Sequence, residues 1–314
     1  MVIVFDPIFY KVSKQILGIK YCEGLREVPI SEFDNVKGIV VRLGIKLSKD
    51  VLSQFKNLQF VATITTGLDH VDLEYCCENN ISIISLKGEV EFLNGIHATP
   101  EHTWGLLLSL IRKLPSACNS VKSGMWDRNL FHGEELYEKT LGIIGFGRVG
   151  KILSQYAHAF GMKVMIHDSE EIEESVFNVK QVSLDQILSK SNIISLNLPL
   201  DGDTENYLND THFSRMKQSP WFINTARGGI VDEGALLKAL NSGNIKGAAL
   251  DVLSNEVYFV EKKARNSLIK YMNTHDNLVI TPHISGTTNE SMKKTALFIE
   301  NKVLNSFSKF RKEP

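Results

Sequence analysis

LGIIGFGRVG, residues Leu141–Gly150, joins a short apolar run to three glycines, Gly145, Gly147 and Gly150, in the spacing G-x-G-x-x-G. Each glycine has a separate use in a phosphate-binding turn. The first permits a tight turn at the end of a strand, the second leaves room for the backbone to approach a pyrophosphate, and the third lets the following helix pack closely. The stretch therefore predicts a strand, a turn and a helix that together bind the phosphates of a dinucleotide.

The residues that follow support this interpretation. Apolar side chains recur at helical spacing over Val149–Phe160, and Gly161 stands where a helix commonly ends. A second apolar run, Lys163–His167, leads to Asp168, which lies 18 residues after the last glycine of the motif. An acid about 20 residues beyond the glycines binds the ribose in such folds and favours NAD over NADP. Glycines alone also mark ordinary turns, and Asp168 alone could be a solvated strand-end residue, but the whole unit predicts an NAD site.

The composition is that of a soluble globular protein and excludes several classes. Of 314 residues, 43% are hydrophobic and 23% are charged, with a formal net charge of −1. This balance lacks the basic field of a nucleic-acid-binding protein, and no apolar run reaches the roughly 18 residues of a membrane span. The start MVIVFDPIFY lacks the features of a secretory signal, so we expect a cytoplasmic protein. The four cysteines include no C-x-x-C pair, which predicts neither a disulfide framework nor a metal site.

The glycine motif lies far from the start of the chain, so another domain can precede it. The first hundred residues alternate short apolar runs with helical patterns, which predicts a parallel sheet with helices on its faces. The same alternation follows the glycines and predicts a second sheet of about six strands. A long apolar helix, Glu101–Leu114, is the predicted crossover between the domains, and the last helix, Asn289–Phe310, is long enough to return to the first domain.

These patterns predict an α/β protein with two doubly wound parallel-sheet domains and an interdomain cleft. We expect a flavodoxin-like substrate domain formed by residues 1–98 and 286–314, and a Rossmann NAD-binding domain formed by residues 99–285. Ligands of such sheets bind outside the carboxyl ends of the strands. Polar residues that directly follow a strand are therefore the candidates for chemistry.

Three strand ends of the predicted NAD-binding domain carry residues suited to the reduction of a 2-oxo acid. INTARGG places Arg227 after one strand, LDVLSNE places Glu256 after the next, and TPHISG places His283 after the last. Arg227 can hold a carboxylate and polarise a carbonyl because its planar guanidinium stays charged. His283 can donate the proton that completes a hydroxyl, and a paired Glu256 favours the protonated imidazole. Singly, these residues are more typical of a surface ion pair, a solvated loop and a structural histidine, but their joint placement favours catalysis.

Several longer motifs carry a resemblance to a known family. TLGIIGFGRVGK, NTARGGIVDE, LDV and TPHISG resemble the D-isomer-specific 2-hydroxyacid dehydrogenases, as do EHT (Glu101–Thr103), GMWDRN and the earlier TTGLDHVDLE. The resemblance covers nearly the whole chain and is greatest for phosphoglycerate dehydrogenase-like members, in a short form without a regulatory domain. It implies an NAD-dependent oxidoreductase that interconverts a D-2-hydroxy acid and its 2-oxo acid, with catalytic Arg227, Glu256 and His283.

The resemblance also implies which residues bind the ligands. Those of the NAD site are Gly145, Gly147, Arg148, Val149, Gly150, Asp168, Pro199, Thr204, Thr225, Ala226 and Asp251, the last as acceptor from the nicotinamide carboxamide. Those of the substrate site are Thr65, Thr66 and Gly67, through their amides, and Arg42, which by itself is equally typical of a strand-end surface charge. A homodimer is implied as well, with the crossover helix and the glycine domain at its interface.

Departures from the family pattern leave the substrate open. Thr63 stands where phosphoglycerate dehydrogenase-like members carry an arginine, so one phosphate-binding charge is missing. The longer segment Gly88–Pro100 indicates either a different substrate or a structural loop, and Val257 replaces a usual proline after Glu256. We favour a sugar acid over a phosphoglycerate-like substrate. A glyoxylate or hydroxypyruvate reductase and an NADH-sensing, corepressor-like binding protein are the alternatives.

Overall fold

The structure, a computed structural model, describes residues 1–254, 256 and 266–311. The chain divides into two compact units, one formed by Met1–Ile96 with Gly286–Pro314 and the other by His97–Ser285. The first division falls two residues before the boundary predicted after residue 98, and the second falls at residue 285. The replaced proline position, Val257, lies outside the described residues.

Among the described residues, the first unit holds a five-stranded parallel sheet in the order β2-β1-β3-β4-β5. Its strands are β1 (Val2–Val4), β2 (Ile19–Tyr21), β3 (Gly38–Val41), β4 (Phe60–Thr63) and β5 (Ser82–Ile84). This order is that of flavodoxin-like folds, so the predicted fold class of this unit is confirmed. β2 is not among the predicted strands because its three half-buried residues, IKY, form no continuous apolar run.

The second unit holds, within the described residues, a seven-stranded parallel sheet in the order β12-β11-β10-β9-β6-β7-β8. Its strands are β6 (Thr140–Ile144), β7 (Lys163–His167), β8 (Lys180–Gln181), β9 (Ile193–Leu196), β10 (Trp221–Asn224), β11 (Gly247–Leu250) and β12 (Leu278–Ile280). The chain leaves β6 toward β7 and later returns to pair β9 with its other edge. The strand order therefore reverses at β6, as in the predicted Rossmann fold. The seventh strand, β8, was missed because it has only two polar residues.

Helices cover these sheets and connect their strands. They are α1 (Pro7–Val12), α2 (Lys49–Leu52), α3 (Leu73–Glu78), α4 (Val90–Asn94), α5 (Ala98–Ile111), α6 (Leu114–Lys122), α7 (Arg148–Ala159), α8 (Glu174–Phe177), α9 (Leu184–Lys190), α10 (Asp210–Phe213), α11 (Glu233–Ser242), α12 (Ser267–Met272) and α13 (Asn289–Ser306). The predicted crossover helix is α5, which ends three residues earlier than expected. Pro115 stands in the first turn of α6, where the missing amide hydrogen costs nothing.

Both faces of the first sheet are buried, which explains the nearly continuous apolar runs of its strands. Along β1, Val2 and Val4 join a cluster with Ile299 and Val303 of α13. The alternate residue Ile3 joins a second cluster on the other face of the sheet. Successive side chains of a strand point to opposite faces, so a buried strand requires apolar residues at every position.

The long segment Gly88–Pro100 contains α4, which packs against α13 in the same unit. Phe92 stacks on Phe298 with ring centroids 3.9 Å apart, and Glu89 forms an ion pair with Lys302. Leu93 is buried in the cluster that also holds Ile299. The contacts of Glu89 and Phe92 with α13 are those expected of a structural loop.

Two features are absent from the part of the chain that the structure describes. No helix there is both long and apolar enough to cross a membrane. No three His, Cys, Asp or Glu side chains there gather into a group that could hold a metal ion.

Candidate active site

The glycine motif forms the turn between β6 and α7, and two of its glycines are required by close contacts. Gly145 has φ +89°, and a Cβ there would lie 2.8 Å from the carbonyl oxygen of Asn197. A Cβ at Gly150 would lie 2.6 Å from the carbonyl oxygen of Gly145. Gly147, in contrast, is exposed and faces open space. The turn is thus tight against the protein on one side and accessible on the other.

The start of α7 has the properties of an anion-binding site. Gly147 is the N-cap residue, and no side chain caps the helix. The amides of its first turn, which include those of Arg148 and Val149, have no acceptor within a helix. Asp168 follows β7, and its carboxylate accepts hydrogen bonds from the amides of Phe146 at 2.6 Å and Glu170 at 3.0 Å. One lone pair on each oxygen remains for a ribose hydroxyl, so the residues present fit a dinucleotide.

The loop after β9 holds the predicted adenosine-side residues Pro199 and Thr204 next to each other. The Thr204 hydroxyl donates to the carbonyl of Pro199 at 2.7 Å and accepts from the amide of Asp201 at 2.8 Å. Pro199 is exposed and Thr204 half-buried. The hydroxyl of Thr204 therefore fixes the shape of this loop.

A turn after β10 positions Arg227. The Asn224 side chain accepts from the amide of Ala226 at 2.9 Å and donates to the carbonyl of Arg227 at 2.9 Å. The Arg227 guanidinium in turn donates to the carbonyl of Ala226 at 2.8 Å. Thr225 is buried, with its hydroxyl 2.7 Å from that of Thr103 on α5. The Asn224 side chain thus fixes the shape of this turn, and Thr103 attaches the start of the turn to α5.

Gly228 brings the Arg227 turn against the loop that follows β11. A Cβ at Gly228 would lie 2.0 Å from the carbonyl carbon of Leu253, so no other residue fits there. The amide of Leu253 donates to Oε1 of Glu256 at 2.9 Å. The backbone contact therefore joins the loop that carries Arg227 to the loop that carries Glu256.

His283 and Glu256 form a direct pair. Nδ1 of the imidazole lies 2.6 Å from Oε2 of Glu256, and the two side chains are 18% and 30% exposed. An ionised carboxylate only accepts hydrogen bonds, so Nδ1 carries the hydrogen and Nε2 is the nitrogen left to exchange a proton with a ligand. His283 has φ +54°, a conformation that a non-glycine residue keeps only where its surroundings impose it.

Asp251 imposes that conformation on the loop around His283. Its side chain is fully buried, Oδ1 accepts from the amide of Ile284 at 2.9 Å, and Oδ2 accepts from the amide of Ser285 at 2.7 Å. The Thr281 hydroxyl and His102 also contact Oδ1. Burial alone raises the pKa of Asp251, but these hydrogen bonds outweigh it and hold the pKa below its ordinary value. Its role toward the nicotinamide remains a prediction.

The predicted substrate residues follow two neighbouring strands of the first unit. Thr65, Thr66 and Gly67 lie just after β4, and the Thr65 hydroxyl donates to the carbonyl of Gly67 at 2.8 Å. Thr63 is fully buried, and its hydroxyl lies 2.9 Å from that of Thr65 and 3.3 Å from Nε2 of His70.

Arg42, the remaining substrate candidate, directly follows β3 and is exposed. β3 pairs with β4 so that Val41 lies opposite Thr63. Arg42 and the loop of Thr65 therefore begin at the same edge of the sheet. The buried His70 beside Thr63 was not singled out from the sequence.

Three residues that support the candidate site are not among the predicted site residues. They are His102 and Thr103, which reach the loops after β12 and β10 from α5, and Gly228, which joins the loops after β10 and β11. The EHT motif is part of the family resemblance, but the contacts of His102 with Thr281 and of Thr103 with Thr225 join residues more than 100 positions apart. Only the folded chain reveals them.

The chain is similar to proteins of one known family. Residues 104–285 match the model described as "D-isomer specific 2-hydroxyacid dehydrogenase, NAD binding domain". D-3-phosphoglycerate dehydrogenase of Rattus norvegicus is 38% identical over 272 residues, which cover 86% of this chain and 48% of that protein. The corresponding enzyme of Archaeoglobus fulgidus is 34% identical over 312 residues, covering 97% and 56%. The chain thus spans about half the length of these curated relatives.

Solved structures match over the full length. The crystal structure of D-lactate dehydrogenase from Aquifex aeolicus, complexed with NAD and lactic acid, has a TM-score of 0.85 and 30% sequence identity. The match covers 98% of this chain and 95% of that one. The chain therefore belongs to the D-isomer specific 2-hydroxyacid dehydrogenase family.

Proposed function

We propose that this protein is an NAD-dependent oxidoreductase that interconverts a D-2-hydroxy acid and its 2-oxo acid. The observation that carries the proposal is the pair of His283 and Glu256, which leaves Nε2 of the imidazole available in a unit that belongs to an NAD-binding family. Arg227 stands on the adjoining loop, joined through Gly228. An acid-base pair beside an arginine is the set of groups that reduction of a 2-oxo acid requires.

Each of these side chains has a separate role in the proposed reaction. Arg227 binds the substrate carboxylate and polarises the carbonyl, because its guanidinium is permanently charged. His283 donates the proton from Nε2 to the carbonyl oxygen in reduction and removes it from the hydroxyl in oxidation. Glu256 accepts from Nδ1 throughout and holds the imidazole so that Nε2 is the nitrogen that exchanges the proton. The nicotinamide cofactor supplies or accepts the hydride.

We propose NAD rather than NADP as the cofactor. Asp168 places a carboxylate at the end of β7, where the ribose of the adenosine lies in Rossmann folds. A 2′-phosphate at that position would be repelled by Asp168 and by Glu170 and Glu171, which follow it. The pyrophosphate would lie at the uncapped start of α7.

We propose that the substrate is an unphosphorylated 2-oxo acid bound by Thr65, Thr66, Gly67 and Arg42. The position before the substrate loop holds the neutral Thr63, whose hydroxyl is engaged with Thr65 and His70. No cation stands at that position to bind a phosphate. The match to a D-lactate dehydrogenase bound to lactic acid supports an unphosphorylated substrate, whereas the phosphoglycerate dehydrogenase matches favour the opposite.

We further propose a cytoplasmic homodimer whose interface includes the second unit. Large apolar side chains are exposed there between residues 114 and 130, namely Leu114, Val121, Met125, Trp126 and Leu130. Exposed apolar surface of this kind is typical of a protein interface. Light scattering should return twice the mass of the chain, and a monomer mass would contradict this proposal.

The function is tested with purified protein, NADH and a panel of 2-oxo acids. The panel contains pyruvate, glyoxylate, hydroxypyruvate, a longer sugar-derived 2-oxo acid and 3-phosphohydroxypyruvate. We expect oxidation of NADH with an unphosphorylated acid, and a rate at least about 100-fold lower for His283→Ala. Tight NADH binding without turnover of any acid would favour the sensor alternative, and preference for the phosphorylated acid would overturn the substrate proposal.

A further inference from the structure

The loop that carries His283 is held by a single buried carboxylate. Asp251 accepts from the amides of Ile284 and Ser285, and its own carbonyl accepts from the amide of His283 at 2.8 Å. The Thr281 hydroxyl donates to the same carboxylate. The residues on both sides of His283 are therefore fixed by Asp251, and the orientation of the imidazole depends on how Asp251 itself is held.

Asp251 is held in turn from α5. Nε2 of His102 lies 3.3 Å from Oδ1 of Asp251 and 3.1 Å from the hydroxyl of Thr281. The side chain of His102 is 22% exposed, whereas that of Asp251 is fully buried. A buried carboxylate is costly unless its lone pairs are met by donors. Two described side chains contact this carboxylate. Thr281 belongs to the loop that carries His283, whereas His102 lies on the helix α5.

The next residue of α5 makes a parallel contact. The Thr103 hydroxyl lies 2.7 Å from that of Thr225, in the turn that precedes Arg227. Consecutive residues of one helix thus reach the loop that carries His283 and the turn that carries Arg227. α5 is a 14-residue helix whose apolar side chains Leu106, Leu107, Leu110 and Ile111 are buried. It is a rigid support to which both loops are attached.

We propose that His102 is a positioning residue that orients His283 through Asp251 and Thr281, an inference that rests on the proposed function. His102 donates from Nε2 into the Asp251 and Thr281 pair and does not itself touch the substrate. Without this donor, the Thr281 hydroxyl and Asp251 lose their common partner on α5. The loop then relaxes from the conformation in which His283 has φ +54°. A displacement of about 1 Å at a reacting group can cost about 100-fold in rate.

The test compares three substitutions of His102. His102→Gln keeps a donor close to the position of Nε2, His102→Asn keeps an amide that is too short to reach, and His102→Phe keeps the ring shape without a donor. We expect kcat to fall at least about tenfold for His102→Asn and His102→Phe and to stay within about threefold of wild type for His102→Gln. The dissociation constant of NADH should stay within about threefold in all three.

A matched control distinguishes this role from a general loss of stability. His158 also lies on a helix, and its imidazole Nε2 lies 3.1 Å from the carbonyl oxygen of Phe177, away from the loops of Arg227, Glu256 and His283. His158→Asn and His158→Phe should retain wild-type kcat. Equal kcat for His102→Gln and His102→Asn, or a fall in kcat for the His158 variants as large as for those of His102, would overturn the proposal. If His102→Phe does not fold, the kcat values of His102→Asn and His102→Gln still test the proposal.

A second readout separates this proposal from the proposed function. Diethyl pyrocarbonate modifies exposed imidazole nitrogens, and peptide mass analysis gives the rate at His283 alone. We expect that rate to change at least about threefold in His102→Asn and to match wild type in His102→Gln. If the wild-type protein reduces no 2-oxo acid, this result still supports the positioning role while the proposed function fails. An unchanged rate at His283 in His102→Asn would overturn the positioning role.

Discussion

Replacement of Glu256 by glutamine tests the pair that it forms with His283. Oε2 of the carboxylate lies 2.6 Å from Nδ1 of the imidazole, and Oε1 accepts from the amide of Leu253 at 2.9 Å. A carboxylate satisfies both donors because both of its oxygens accept. An amide has one accepting oxygen and one donating NH2 group. Glu256→Gln can therefore satisfy either Leu253 or the hydrogen on Nδ1, but not both.

The magnitude follows from the loss of a charge-assisted hydrogen bond. Bonds to charged groups contribute about 1.5–3 kcal/mol and neutral ones about 1 kcal/mol. The two side chains are 18% and 30% exposed, so solvent screens the pair only in part. A loss of about 1.4 kcal/mol from this hydrogen bond in the transition state of proton transfer corresponds to about tenfold in rate. We therefore expect Glu256→Gln to lower kcat for reduction about tenfold at neutral pH.

The assay is steady-state oxidation of NADH with saturating 2-oxo acid, together with a fluorescence titration of NADH binding. Glu174→Gln is the control, because Glu174 accepts from the amide of Gln181 at 2.6 Å and contacts no histidine of the site. It should retain wild-type kcat, and both variants should bind NADH as wild type does. An unchanged kcat in Glu256→Gln would refute the role given to the pair.

Three further predictions concern the cofactor, the stability and the thiols. Asp168→Ala should weaken NAD binding more than NADP binding in parallel titrations, and an unchanged ratio would leave Asp168 only its contacts with the Phe146 and Glu170 amides. Because the pKa of Asp251 is lowered, its ionised form stabilises the fold above about pH 3.9, and this contribution is lost as the pH falls through the lowered value. The melting temperature should therefore fall more steeply with acidification for wild type than for Asp251→Asn. An equal pH dependence of the two melting temperatures would contradict this. Burial, and then Asp72, raise the pKa of Cys76 to about 11, so N-ethylmaleimide should label the exposed Cys77 of the native protein and not Cys76; labelled Cys76 peptide would contradict the burial.

Features that depend on local sequence were predictable. The turn of Gly145 and Gly150 and the acid Asp168 are spaced along one strand-turn-helix-strand unit, so their positions follow from neighbouring residues. Arg227 and His283 follow from the rule that ligands bind where parallel strands end. The fold class was predicted correctly for the same reason, because apolar runs and helical patterns alternate along the whole chain.

Features that depend on contacts between distant residues were not predictable. His102 meets Thr281 across 179 positions and Thr103 meets Thr225 across 122, and no spacing pattern relates them. The requirement for glycine at position 228 comes from the backbone of Leu253, which lies 25 positions away and which no local pattern indicates. The packing of Phe92 on Phe298 of α13 joins residues more than 200 positions apart, and no spacing pattern in the segment Gly88–Pro100 predicts it.

In the proposed reaction, His283 exchanges a proton with a D-2-hydroxy acid while NAD takes up the hydride. The most direct measurement is the reduction of NAD by the separate D and L isomers of the hydroxy acid whose 2-oxo form is turned over, with wild type and His283→Ala. We expect reduction of NAD with the D isomer only, and a rate at least about 100-fold lower in the variant. Equal rates for both isomers, or an undiminished rate in His283→Ala, would show that His283 is not the proton donor of a D-specific reaction.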